Sequence, residues 1–130
     1  MNAKIENVIE QLAVRDVRYS PQAYFFVLEA LDFINEHLDE EGFGGSETHV
    51  SVVELLAGVR HYALDQFGPL SRIVLEDCGI YSTEDIGEVV FNMVDADLLN
   101  KEADDDRRDF EGGFDFHEVF EETYSPALPW

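Results

Sequence analysis

The chain has 130 residues, 45% of them hydrophobic and 12% aromatic, and its 29 acidic against 8 basic side chains give a formal net charge of −21. That apolar content excludes a disordered acidic tail and sets one folded domain as the expectation. The charge argues against surfaces built to neutralise phosphate or anionic lipid, and favours cations and basic proteins as company.

The first predicted helix spans residues 3–16, where Ile5, Val8, Ile9 and Leu12 form one apolar stripe. Ser20-Pro21 then reads as a helix start, with Pro at a position whose N–H is not needed. The second helix covers residues 21–38. Tyr24, Val27, Leu28, Leu31 and Leu38 line one face, and Phe25, Phe26, Phe33 and Ile34 widen it. An apolar arc that wide predicts a central helix touched on several sides.

Gly42, Gly44 and Gly45 among acids make residues 39–48 a loop, and residues 48–50 are expected to form a very short strand. Ser51-Val-Val-Glu54 is a capping-box pattern that opens a helix running to Gly68. Pro69 opens a shorter helix with Leu70, Ile73 and Val74 facing inward, and Gly79 stops it. Ser82-Thr-Glu-Asp85 repeats the capping logic for a fifth helix that carries Ile86, Val89, Val90, Met93 and Val94. Leu98 and Leu99 read as the start of a strand, residues 102–106 as a polar turn, and Asp109-Phe110 as the returning strand. Asp115-Phe-His-Glu118 caps a last short helix to Thr123, and residues 125–130, with two prolines, are extended.

The expectation is a single α+β domain, mostly α. A helical pair at residues 1–38 packs on a winged-helix-like part at residues 48–116, built of three helices and a β-hairpin. A short helix and tail follow at residues 117–130. In winged-helix domains the third helix enters the major groove and the hairpin touches the backbone. Here the segment from Glu84 to Glu122 holds fifteen acids against three bases, a local balance of −12. Phosphate contact needs Lys and Arg on that face, so direct nucleic-acid binding is not expected.

Chemical motifs are sparse. Asp104-Asp105-Asp106 lacks the alternating ligands, central Gly and twelfth-position Glu of a calcium loop. His37, His49, His61 and His117 do not pair at metal-ligand spacings, although His117 and Glu121 sit four apart. Cys78 follows a predicted helix C-terminus, which disfavours a thiolate, so it reads as a small buried filler. One cysteine permits no intramolecular disulfide and fits a reducing compartment. The start Met-Asn-Ala-Lys-Ile-Glu lacks a signal pattern, and no apolar run approaches the ~20 residues of a membrane span. A soluble cytoplasmic protein with no cofactor and no metal is expected.

Several stretches taken together resemble a known family. They are Tyr19-Ser-Pro-Gln-Ala-Tyr24 with Phe-Phe-Val-Leu-Glu-Ala-Leu31, His49-Val-Ser51 with Glu54-Leu-Leu and Gly58, Tyr62-Ala-Leu with Gln66-Phe-Gly-Pro-Leu70, and Ser82 through Asn92. The family is one of short bacterial hypothetical proteins described from planctomycete and verrucomicrobial genomes. Val52-Val53 stand where that family would carry a Gly. The resemblance implies a globular bacterial protein and brings no activity, substrate or cofactor.

The functional expectation is a non-enzymatic protein-binding or adaptor module. Glu102, Asp104, Asp105, Asp106 and Asp109 would face a basic protein partner, and Trp130 would serve as an apolar anchor. The alternative is a nucleic-acid mimic, whose carboxylates occupy the basic groove of a DNA- or RNA-binding protein.

Overall fold

Residues 3–40, 51–99 and 107–122 are described by a computed structural model, and their regular structure is helical. The helices are α1 (Ala3–Arg15), α2 (Pro21–Glu40), α3 (Val52–Phe67), α4 (Ser71–Asp77) and α5 (Thr83–Asp95). Gly68–Leu70 and Arg107–Phe110 form 3-10 turns, and Glu118–Glu122 forms a π-helical turn. Among the described residues no helix is long and apolar enough to cross a membrane.

Local chemistry sets the helix ends. Ser51 Oγ accepts from Glu54 N at 3.1 Å, and Glu54 Oε1 accepts from Ser51 N at 3.0 Å, which closes the expected capping box. Asp115 Oδ1 accepts from Glu118 N at 3.0 Å and caps the last turn. Asp85 acts differently from expectation. The Ser82 side chain makes no cap bond, and Asp85 Oδ2 reaches back to Tyr81 N at 2.9 Å.

Helix α2 is the centre, in contact with α1, α3 and α5. Its buried Ala23, Tyr24, Phe26, Val27, Ala30 and Ile34 join Ile9 and Leu12 of α1, Leu55, Leu56 and Val59 of α3, and Ile86, Val89 and Met93 of α5 in one core. The wide apolar arc read from the sequence therefore has partners on several sides.

The expected α+β architecture is corrected to an all-helical one. The described residues contain no strand, and with the hairpin goes the winged-helix likeness. Residues 48–50 lie outside the described set. The reason is visible at both supposed strands. Asp97, at φ 62°, turns the chain back at the end of α5, and Leu98 N donates to Met93 O at 2.9 Å. That is the wrapped helix end in which the second residue past the cap satisfies a late carbonyl. Leu98's amide is thus taken by its own helix instead of a ladder. Phe110 sits in a 3-10 turn, and its carbonyl accepts from Thr83 Oγ1 at 2.6 Å.

A second correction concerns α4. Leu70 and Ile73, expected inward, are 57% and 63% exposed, while Leu75 is buried and Val74 half-buried. Ser71 sets this phase. Its buried Oγ lies 2.7 Å from Gly68 O and 2.9 Å from Ala63 O, tying the start of α4 to the end of α3. Arg72 holds the other side, with Nε 2.9 Å from Glu76 Oε2 and Nη1 3.2 Å from His117 Nδ1.

Candidate functional site

The segment between α1 and α2 is folded down onto the turn between α4 and α5. Ser20 N donates to Cys78 O at 3.1 Å, and Gly79, at φ 104°, lets the Arg18 carbonyl approach its backbone. Around this joint lies a polar network. Arg18 grips Asp16 with two bonds, Nε to Oδ1 at 2.9 Å and Nη2 to Oδ2 at 2.7 Å, and reaches Glu88 at 3.4 Å. Asn92 Nδ2 donates to Asp16 Oδ2 at 3.0 Å and to the Tyr24 hydroxyl at 3.1 Å. The buried Tyr19 donates its hydroxyl proton to Asp85 Oδ1 at 2.6 Å.

These contacts fix protonation states. The Arg18 guanidinium, with Asn92 adding a donor, holds the Asp16 carboxyl well below the usual carboxylate range. Burial, then the Asp85 carboxylate, pushes the Tyr19 phenol up. Burial likewise raises Tyr24 and the Cys78 thiol, whose Sγ donates to Leu75 O at 3.1 Å. Phenols and thiol are held protonated, away from their nucleophilic forms.

Asp16 makes the joint sensitive to acid. A carboxyl held low in the folded state binds its proton first when the chain unfolds, so its contribution is present above ~4 and fades as pH falls below that. Asp16→Asn is expected to cost about 1 kcal/mol at neutral pH, a modest figure because Arg18 is largely exposed. The gap between wild type and Asp16→Asn narrows from about pH 4 downward and closes only where the folded-state Asp16 itself takes up a proton, well below the usual carboxylate range. Urea midpoints of both proteins across that range check it, and the difference cancels the common effect of protonating the remaining acids.

Two hollows flank the joint and share Ser20, Asp77 and Cys78. One, about 400 Å³, is open and has Val17, Arg18, Glu76 and Tyr81 on its walls. The other is a cleft of about 350 Å³ between α2, the end of α3 and α4. Phe25, Phe26, Phe67, Val74 and Leu75 make its apolar walls, and the exposed carboxylates of Glu29 and Asp77 stand among its lining residues. Phe26 lies 6.0 Å from the Phe67 ring and 5.6 Å from the Tyr62 ring. Tyr62 OH donates to Glu29 Oε1 at 3.3 Å, and burial with the nearby Glu29, Asp65 and Asp32 carboxylates raises its pKa.

Of the residues singled out in the sequence, Glu102, Asp104, Asp105, Asp106 and Trp130 lie outside the described set. Asp109 is exposed in the second 3-10 turn. His117 meets Arg72 and His61 meets the Phe33 ring at 5.4 Å. Among the described residues no three His, Cys, Asp or Glu side chains group as a metal site. The cleft escaped the sequence reading because its walls come from three separated segments. The one local hint is Phe25-Phe26 followed by Glu29 a turn later, which sets an acid at the edge of an aromatic face. No family model, curated protein or solved structure matches the chain.

Proposed function

We propose that the chain is a non-catalytic protein-binding module that receives a basic partner. The observation that supports this most is the cleft, where two exposed carboxylates stand over aromatic walls on a chain with a net charge of −21. Exposed acids occur on every helix, including Glu6, Glu29, Asp65, Asp77 and Glu84, so long-range attraction acts from all sides and local shape must choose the docking site. Glu102, Asp104, Asp105, Asp106 and Asp109 are steering charges in this reading. Trp130 adds an apolar contact. The proposed setting is the reducing cytoplasm, in keeping with a buried free thiol at Cys78.

A pull-down at two salt levels, each with and without added duplex DNA, tests the proposal. A basic protein is expected in the low-salt eluate, with recovery falling about tenfold or more by ~0.3 M salt as exposed charges are screened. Recovery unaffected by salt, or of no basic protein, would overturn it. Displacement of the partner by the DNA would instead select the nucleic-acid mimic.

A further inference from the structure

We infer that the cleft between α2, α3 and α4 takes a lysine side chain of the basic partner, an assignment that rests on the protein-binding reading above. The stem would lie along Phe25, Phe67 and Val74, and the ammonium would sit at the rim against the Glu29 carboxylate, with Asp77 as a second negative charge on the lining. Charge complementarity decides the class of occupant. The lining residues include two carboxylates and no Lys or Arg among the described residues, on a molecule that already repels anions. Apolar walls decide the shape. An occupant must bury a hydrocarbon stem while keeping its charge at the rim, which is how lysine behaves on apolar surfaces.

Lysine also fits better than arginine. One oxygen of Glu29, Oε1, already accepts from the Tyr62 hydroxyl. A compact ammonium needs only the oxygen that is left, whereas a planar guanidinium is suited to both oxygens of one carboxylate. The aromatic walls add attraction for a cation near their faces. The Tyr62 hydroxyl holds Glu29 from the α3 side, so one acceptor is oriented before anything binds. The cleft's ~350 Å³ lies at the lower end of the volumes that enclose small ligands, in keeping with one side chain and its flanking backbone.

The test uses three four-charge peptides in titrations with the whole chain. One carries lysine, one arginine, and one diaminopropionate, an ammonium on a one-carbon stem, and all are titrated at about pH 5.5, where the shorter amine, made more acidic by its neighbouring amides, is charged as well. Attraction by net charge alone is blind to stem length, so the lysine peptide is expected to bind at least ~10-fold more tightly than the short-stem one, and more tightly than the arginine one. Glu29→Gln with Asp77→Asn should weaken lysine-peptide binding ~10-fold or more, with NMR shifts at Val74 methyls lost. Glu10→Gln with Glu111→Gln removes the same charge elsewhere, at two exposed positions, and should change it no more than ~2-fold. All four are exposed polar swaps, and unchanged circular dichroism verifies folding. Equal affinity for long and short stems, equal or tighter binding of the arginine peptide, or equal weakening by both double variants, overturns the lysine cleft while leaving the acidic-surface reading in place. No binding of any peptide overturns both.

Discussion

Gly79→Ala is expected to destabilise the protein by ~3 kcal/mol or more, a large part of the stability of a domain this size. Gly79 sits at φ 104°, a conformation that side chains rarely adopt, and a Cβ there would overlap the carbonyl oxygen of Arg18 and press on the Tyr19 ring. Neither neighbour can move cheaply. Ser20 N is bonded to Cys78 O, Tyr19 OH to Asp85, and Arg18 to Asp16. The turn is also closed on itself, with Ile80 N donating to Leu75 O at 2.9 Å and Gly79 N to Glu76 O at 3.0 Å. Gly112→Ala provides the comparison. Gly112 has φ 62° but nothing within 4 Å of an added Cβ, so it should lose only the ~1 kcal/mol of a strained backbone. Urea midpoints of the two variants measure the difference. Equal losses would mean that the α1–α2 segment does not press on the α4–α5 turn as described. Because Ser20, Asp77 and Cys78 form part of the cleft wall, Gly79→Ala should also weaken lysine-peptide binding in any fraction that stays folded.

What the sequence disclosed about the fold follows from the range over which each signal acts. Helix starts are local. Ser51 with Glu54, and Asp115 with Glu118, carry donor and acceptor within one turn, and both pairs close as read. Helix faces are legible when enough turns repeat the period. On α1 and α2 the apolar stripe points inward, but α4 has only seven residues and its phase is set by Ser71 bonding back to α3. The hairpin was misread because Leu98-Leu99 and Asp109-Phe110 offer one or two apolar positions each. Two apolar residues between polar ones fit a strand and a cover segment equally well. The cue that separates the two lies on α5. Thr83, Gly87 and Phe91 recur at four-residue spacing and leave a shallow track, too narrow at Gly87 for any side chain once Phe110 lies in it. The cleft was illegible for a related reason. Phe25, Phe67 and Val74 are brought together by helix packing, and no spacing in the chain links them.

Phe110 and Gly87 supply the sharpest check on that corrected fold. Phe110 is 1% exposed, meets Phe91 edge-on at 6.1 Å, and lies where a Cβ on Gly87 would come within 2.7 Å of its ring. Removing the ring in Phe110→Ala should cost ~3–5 kcal/mol, the range for emptying a buried aromatic site. Gly87→Ala alone should also destabilise, by ~1–3 kcal/mol, because the added methyl displaces the ring by more than the gain in helix propensity returns. Combined, the two changes should be strongly non-additive. With the ring gone, only the Cβ of residue 110, 2.9 Å from the added methyl, still has to give way, and it can shift toward the space the ring vacates, while alanine favours the helix over glycine by ~1 kcal/mol. The double variant should then lie close to Phe110→Ala in stability, an interaction of about 1 kcal/mol or more. Thr83 stays in place throughout and still bonds the Phe110 carbonyl and Gly113 N, so the backbone of the turn keeps its register. Denaturant midpoints of the four proteins read the cycle. Simple additivity would place Phe110 away from α5 and return the 107–110 segment to the hairpin that the sequence pattern first indicated.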